Sequence, residues 1–252
     1  MDKYFSINEQ GCSIRCKLYA DERQEIRTVV LFGHGFGGHK DNRAAERFAR
    51  RVLEKNKGAA IVTFDWPCHG DDVRKTLRLD DCGTYLRLVA GHLGRRFHSP
   101  ALFAYATSFG AYLFLKDISE NGSPFEKIAL RCPAVNMYEV LSGRIMTEEE
   151  LARIGKGKPV LVGFDRKVAI DAVFLNSLKE ADITQRDFLP WADDLLVLQG
   201  TKDEIVPPAA VRAFCEQNVI EYEAIENADH RFQDPRTMDA AIAKILAFFG
   251  MK

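Results

Sequence analysis

The sequence has no excess of positive charge. Across 252 residues, 35 lysines and arginines meet 36 aspartates and glutamates, for a formal net charge of -1. A dedicated nucleic-acid binder needs a basic footprint to neutralise phosphates, so no nucleic-acid partner is expected. Basic pairs such as Arg50-Arg51 and Arg95-Arg96 read as solvated helix faces or ends. Long hydrophobic runs are also missing: the longest are strand-sized, too short to span a bilayer, and no membrane partner is expected. The opening residues, Met1-Asp2-Lys3-Tyr4-Phe5-Ser6, lack the apolar segment of a secretory signal, so a cytoplasmic protein is the expectation. The six cysteines (12, 16, 68, 82, 132 and 215) include no C-x-x-C pair. Without an export signal they are expected as free, mostly buried thiols. No Cys/His cluster has ligand spacing, so neither metal nor cofactor is expected. Internal repeats and low-complexity tracts are absent too.

What remains is an ordinary globular composition, 46% hydrophobic and 28% charged. Strand-like and helix-like segments alternate. Ile26–Phe32 is a β-branched run ending in glycines. A helical stripe follows (Ala45, Phe48, Ala49, Val52, Leu53) after a polar Asp41-Asn42 start. Ala59–Phe64, Ala101–Thr107, Ile128–Cys132 and Leu195–Gln199 read as further buried strands, and Val219–Ile225 as another. Leu86, Val89, Ala90 and Leu93 mark one intervening helix. Met238, Ala241, Ile242, Ile245, Leu246 and Phe249 mark the last. Apolar strands between amphipathic helices imply a mostly parallel sheet covered on both faces, an α/β architecture spanning 1–252 as a single domain. Ser13–Tyr19 alternates in polarity and reads as an antiparallel edge strand.

One stretch breaks the rhythm. Residues 133–190 are too many for a strand-to-helix connection and are rich in charge. Thr147 followed by Glu150 is a capping-box pattern opening a short helix, and Lys158–Ala169 fits a short hairpin. The region is read as a cap inserted over the sheet.

The chemistry concentrates where strands end. Ala106-Thr107-Ser108-Phe109-Gly110 joins the Ala101–Thr107 strand to its helix, a junction that can hold a nucleophilic serine in a strained turn above the sheet. Flanking positions there must be small. Gly110 fits, and Ala106 stands where glycine is more usual. Alone, the five residues are weak evidence, because small-x-Ser-x-Gly arises often by chance. A serine also needs a base, and His230 follows the last strand in Ala-Asp-His-Arg-Phe. The base needs an acid, and Asp203 follows the Leu195–Gln199 strand in Gly-Thr-Lys-Asp-Glu-Ile-Val-Pro, with Glu204 and Asp229 as competing acids. Ser108, Asp203 and His230 are therefore the candidate catalytic residues. The Phe36 and Phe109 N–H groups are the candidate oxyanion donors, Phe36 because it lies in the glycine loop His34–Gly38. Trp66 is a candidate substrate contact.

In motif and order the chain resembles the α/β-hydrolase superfamily. The likeness rests on H-G-F-G-G, D-W-P-C-H-G, A-T-S-F-G, G-T-K-D-E-I-V-P and A-D-H-R-F. It resembles most the small bacterial esterases of cinnamoyl/feruloyl type and the serine aminopeptidase-like hydrolases. That resemblance implies an α/β-hydrolase fold, hydrolysis of a small-molecule carboxylic ester through an acyl-enzyme, and a cap over the acyl site. Two other readings compete. Gly33–Gly38 also matches G-x-G-x-x-G with Asp65 after the next strand, the pattern of a dinucleotide-binding oxidoreductase. Four residues nevertheless separate its last glycine from the helical stripe. Alternatively, the scaffold is an inactive binding protein. His34, His39, His69, Asp71 and Asp72 read as polar rim residues in preference to a metal site. No feature of the sequence specifies an oligomeric state.

Overall fold

Strands whose side chains are apolar on both faces need cover on both faces. The computed structural model, which describes residues 2–21 and 23–252, provides it. In chain order the elements begin β1 (Asp2–Glu9), β2 (Cys12–Ala20), β3 (Thr28–Gly33), α1 (Arg43–Lys55) and β4 (Ala59–Phe64). They continue α2 (Leu79–Arg96), β5 (Ala101–Thr107), α3 (Phe109–Asn121) and β6 (Lys127–Arg131). The sheet resumes at β9 (Leu195–Gly200), followed by α7 (Pro208–Asn218), β10 (Glu221–Ile225) and α8 (Pro235–Phe248). Between β6 and β9 run α4 (Met137–Val140), a π-helical turn (Leu141–Ile145) and α5 (Glu148–Gly155). They are followed by a hairpin of β7 (Val160–Val162) and β8 (Val168–Ile170), then α6 (Ala172–Glu180) and two 3₁₀ turns.

The sheet order is β1-β2-β4-β3-β5-β6-β9-β10. From β4 to β10 every neighbouring pair is parallel, and β2 runs antiparallel to both β1 and β4. Alternation sorts the core. Val29, Leu31, Ala104, Ala106 and Val197 face α2, α3, α7 and the β6–β9 segment, while Val30, Phe32, Phe103, Tyr105 and Leu198 face α1 and α8. The α1 entrance is set by Asn42, whose side-chain oxygen accepts from the N–H groups of Ala44 (2.8 Å) and Ala45 (3.3 Å).

One expectation needs correcting. The alternating stretch at Ser13–Tyr19 is not the sheet edge: β2 lies between β1 and β4. The edge is β1, whose polar residues leave Ile7 as its one buried side chain among those described. An edge strand is held by its backbone ladder and can dispense with an apolar signature. The six cysteines are free thiols, five buried and Cys68 half-buried. Among the described residues, no helix is long and apolar enough to cross a membrane.

The β6–β9 segment carries both predicted local features. Thr147 Oγ1 accepts from the Glu150 N–H, and Glu150 returns a carboxylate to the Thr147 N–H. β7 and β8 pair antiparallel. Its buried side chains, among them Val140, Ile154, Val162 and Phe174, join the same apolar cluster as α2 and α3. The hairpin turn reaches the glycine loop, where Gly37 has φ +72 and a methyl on it would lie 2.7 Å from the Arg166 carbonyl oxygen.

Close backbone approach also decides what α3 tolerates. A methyl on Gly110 would lie 2.5 Å from the His34 carbonyl oxygen and 2.7 Å from that of Gly33, whereas one on Gly94 in α2 meets nothing within 4 Å. The same substitution therefore takes opposite signs. Gly94→Ala gains up to about 1 kcal/mol from helix propensity, and Gly110→Ala loses about 1–3 kcal/mol to overpacking. Urea denaturation of the two variants checks this.

Candidate active site

Three loops at the carboxyl ends of β5, β9 and β10 bring the candidate residues together. Ser108 sits between β5 and α3 with φ 52 and ψ -118, a strained conformation for a side chain with a Cβ. Small neighbours make room for it: a methyl on Gly35 would lie 3.2 Å from the Ser108 Cβ. The turn leaves the serine hydroxyl 3.0 Å from His230 Nε2.

The other two loops are stitched to each other through their backbones. Thr201 N–H donates to the Ile225 carbonyl (3.1 Å), and Lys202 N–H donates to the Ala228 carbonyl (2.9 Å). Gly200 permits this contact, since a methyl there would lie 2.4 Å from the Ala228 oxygen. Asp203, its side chain fully buried, is satisfied on both oxygens. Oδ1 accepts from the N–H groups of Ile205 (2.9 Å) and Val206 (2.8 Å); Oδ2 accepts from Gln199 Nε2 (2.9 Å) and His230 Nδ1 (2.8 Å). Burial by itself would raise the Asp203 carboxyl. The bond from His230, with those from the Val206 N–H and the Cys132 thiol, outweighs that and holds it below the usual carboxylate value. An ionised carboxylate can only accept, so His230 Nδ1 carries the proton and Nε2 presents a lone pair to Ser108. The competing acids are elsewhere: Asp229 Oδ1 accepts from the Gln233 N–H (2.9 Å), and Glu204 lines the cleft.

The glycine loop completes the floor. Gly38 N–H closes a turn on the Gly35 carbonyl (2.9 Å), and the Phe36 ring meets that of Phe109 edge-on at 5.6 Å. The N–H groups of Phe36 and Phe109 donate to no group among the described residues. Below the loop, His34 Nδ1 lies 2.9 Å from the Gly35 carbonyl and His69 Nδ1 lies 2.8 Å from that of Pro67. Burial, then the neighbouring His69, holds His34 well below its usual range, and burial brings His69 down to about 4, so both rings are neutral.

Trp66 is not brought to the site. It is 0% exposed, packs on Phe64 and Phe114, and donates its indole N–H to the His34 carbonyl (2.9 Å). It supports the loop from the core side, where substrate has no access. Asp65 is likewise committed. Its carboxylate takes the N–H groups of Lys40 (2.7 Å) and Asp71 (2.9 Å) and the Lys40 ammonium (3.2 Å). It has no free oxygen edge for a ribose, and α1 is capped by Asn42 instead of starting on the last glycine, so Gly33–Gly38 is not built to hold a dinucleotide. The rim residues do not converge on a metal either: Asp71 binds Lys40, and Asp72 accepts from Cys68, Arg74 and Tyr85. Among the described residues, the one grouping of ligand-type atoms is Cys132 with Asp203 and His230. There burial pushes the thiol well above its usual value, so it stays protonated beside a pair already bonded to each other.

Sequence reading passed over two side chains of this region, Gln199 and Arg131. Each is a polar residue directly after an apolar run near a strand's carboxyl end, Leu-Leu-Val-Leu-Gln in β9 and Ile-Ala-Leu-Arg in β6. That is a usable signal, because open α/β sheets place ligands at strand carboxyl ends. Ser108, His230 and Arg131 line one cleft of ≈ 1370 Å³, together with Ile145, Phe164 and Arg166 from the β6–β9 segment.

Comparison with known proteins agrees with this architecture. Residues 29–244 match the model of the alpha/beta hydrolase family. A monoglyceride lipase homolog of Monkeypox virus is 24% identical over 236 residues, covering 82% of this chain and 84% of that protein. Est1E from Butyrivibrio proteoclasticus, solved with ferulic acid bound, superposes with a TM-score of 0.77 at 16% identity, covering 98% of this chain and 99% of that one. The esterase domain of a Rhodothermus marinus protein does so at 0.69 and 15%, covering 98% and 97%. With the family model matched over most of its length, the chain belongs to the alpha/beta hydrolase family.

Proposed function

We propose that this hydrolase cleaves carboxylic esters of small molecules through an acyl-enzyme on Ser108, with His230 as base and Asp203 as its acid partner. The observation that carries the reading is the continuous hydrogen-bond chain from Asp203 through His230 to the Ser108 hydroxyl, at 2.8 and 3.0 Å. A serine alone is a poor nucleophile, and a base held in one tautomer by a buried carboxylate removes that obstacle. The names of relatives agree with an ester: one is a monoglyceride lipase homolog, another an esterase domain.

In the first half-reaction His230 Nε2 takes the Ser108 proton as the hydroxyl attacks the ester carbonyl. The carbonyl oxygen becomes an anion between the unspent N–H groups of Phe36 and Phe109. His230 then gives its proton to the departing alcohol, leaving the acyl group on Ser108. In the second half, water loses its proton to His230 and attacks the acyl carbon; the bond to Ser108 breaks, His230 returns the proton to the serine oxygen, and the acid is released. Residues 133–190 act as the cap, roofing the cleft and bounding the acyl group. Asp203 holds the imidazole tautomer and offsets the imidazolium charge formed in each step.

The inactive-scaffold alternative makes a different forecast, so reactivity separates the two. A fluorophosphonate probe labels the wild-type protein at Ser108 and fails to label Ser108→Ala. An unreactive wild type, or labelling that survives the substitution, overturns the assignment. With a nitrophenyl ester as substrate, Ser108→Ala lowers kcat by about 10⁶-fold and Asp203→Asn by about 10⁴-fold, without loss of fold by circular dichroism. Near-normal turnover of Asp203→Asn reassigns the acid to Glu204.

A further inference from the structure

Three lysine or arginine side chains are buried among the described residues: Lys17, Lys40 and Arg131. Lys17 is paired with Asp2 (3.0 Å) and Asp41 (3.3 Å), and Lys40 with Asp65 (3.2 Å) and Asp41 (3.3 Å). The buried carboxylates are matched as well: Asp65 to Lys40, Asp117 to Arg87 (2.7 Å) and Asp203 to His230 (2.8 Å). Arg131 is the exception. It is 6% exposed, its Nη1 lies 3.3 Å from the Met238 sulfur, its guanidinium stands 5.0 Å from the centroid of the Phe232 ring, and its buried Nε has no partner. No carboxylate stands within ion-pair distance of it among the described residues. A guanidinium cannot shed its charge, and a thioether and a ring face are poor substitutes for a counter-ion.

Its position gives the missing partner a place. Arg131 ends β6 in register with Thr107, the residue before the nucleophile, and its carbonyl accepts from the Ser108 N–H (3.0 Å). It therefore stands one strand spacing, about 4.8 Å, from the β5–α3 turn. Arg131 is among the residues lining the cleft that also holds Ser108 and His230, and so are Met238 and Phe232, the two side chains that flank its guanidinium. The cleft as a whole is basic, with six arginines against four carboxylates among its lining residues. Two of the arginines are paired, Arg231 with Asp165 (2.8 Å) and Arg47 with Asp239 (2.7 Å). Asp41 is engaged by Lys17 and Lys40 (both 3.3 Å), which leaves four arginines against Glu46 and Glu204.

We infer that the substrate is an anionic ester, carrying a carboxylate or phosphate on a short chain, and that Arg131 is its counter-ion and the specificity residue of the site. The inference rests on the ester-hydrolase reading above and narrows its substrate class. The planar fork of a guanidinium matches either anion through two parallel hydrogen bonds, and at a guanidinium this buried such bonds discriminate strongly against a neutral group. Charge then selects the substrate, while the Ser108 machinery would act on any ester carbonyl placed beside it.

The experiment compares kcat/KM for two matched pairs: the 4-nitrophenyl monoesters of glutaric and hexanoic acids, and 1-butyrylglycerol 3-phosphate against 1-butyrylglycerol. The wild type prefers the anionic member of at least one pair by about 10- to 100-fold, the discrimination expected of a charged hydrogen-bonded pair. The pair that shows it tells carboxylate from phosphate. Arg131→Met collapses that ratio toward one, and Arg131→Lys retains part of it. A wild-type ratio near one for both pairs overturns the inference, as does an unchanged ratio in Arg131→Met. An equal loss on both members of each pair would make Arg131 a brace for Phe232 and overturn it too. Calorimetric titration with glutarate and with inorganic phosphate supplies a readout independent of turnover: one of them binds wild type and loses at least tenfold in affinity in Arg131→Met. Failure of both anions to bind wild type counts against the inference even if neutral esters are hydrolysed. An enzyme that cleaves none of the four esters and resists the fluorophosphonate overturns the ester reading itself.

Discussion

The buried carboxylate of Asp203 is the point on which the site is assembled. Four donors converge on it, two from the backbone of its own turn, one from Gln199 on the preceding strand and one from His230 on a different loop. Burial works against the ionised form, and these bonds reverse the balance. The result is a fixed negative charge that cannot rotate away from the imidazole, so the tautomer of His230, and with it the lone pair facing Ser108, follows from Asp203. The backbone bonds between the Gly200–Lys202 and Ile225–Ala228 segments keep that pairing from depending on side chains alone.

Close backbone approach does the corresponding task for the serine. Gly110 lies against the carbonyls of Gly33 and His34, Gly35 against the Ser108 Cβ, and Gly37 against the Arg166 carbonyl. These contacts set the Ser108 turn, the glycine loop and the β7–β8 turn around one cleft. Each would be disturbed by a single methyl group. Trp66 and the Lys40–Asp65 pair hold the same loop from beneath, which explains why residues with functional-looking neighbours have structural work.

Charge in the interior is otherwise balanced with little left over. Lys17, Lys40, Asp65 and Asp117 all meet partners of opposite sign, and Asp203 is satisfied by four hydrogen-bond donors. Against that background the Arg131 guanidinium, buried between Met238 and Phe232 with no carboxylate in ion-pair distance among the described residues, is an asymmetry that the anion proposed above would resolve. The β6 end that carries Arg131 also supplies the carbonyl bonded to the Ser108 N–H, so the proposed binding and reactive residues meet at one strand terminus.

The alternation of apolar strands with helical stripes already determined a doubly covered, mostly parallel sheet, because burial on both faces leaves a continuous apolar run in each strand. Ala59–Phe64 and Ala101–Thr107 are strands over the same residues in sequence and structure, and the capping box at Thr147 is local enough to be legible without a fold. The order Ser108, Asp203, His230, each after a strand, likewise stood in the sequence. What one-dimensional pattern could not hold was anything set by a neighbour distant along the chain. β1 is polar because an edge strand needs only its ladder, so it left no periodic signal. Trp66 looked like a cleft wall until the packing of Phe64 and Phe114 turned it inward. Arg131 drew no reading from the sequence, and only the folded chain shows that it is buried at the end of β6 with no carboxylate beside it among the described residues, since a missing partner is a property of the surroundings and not of the residue.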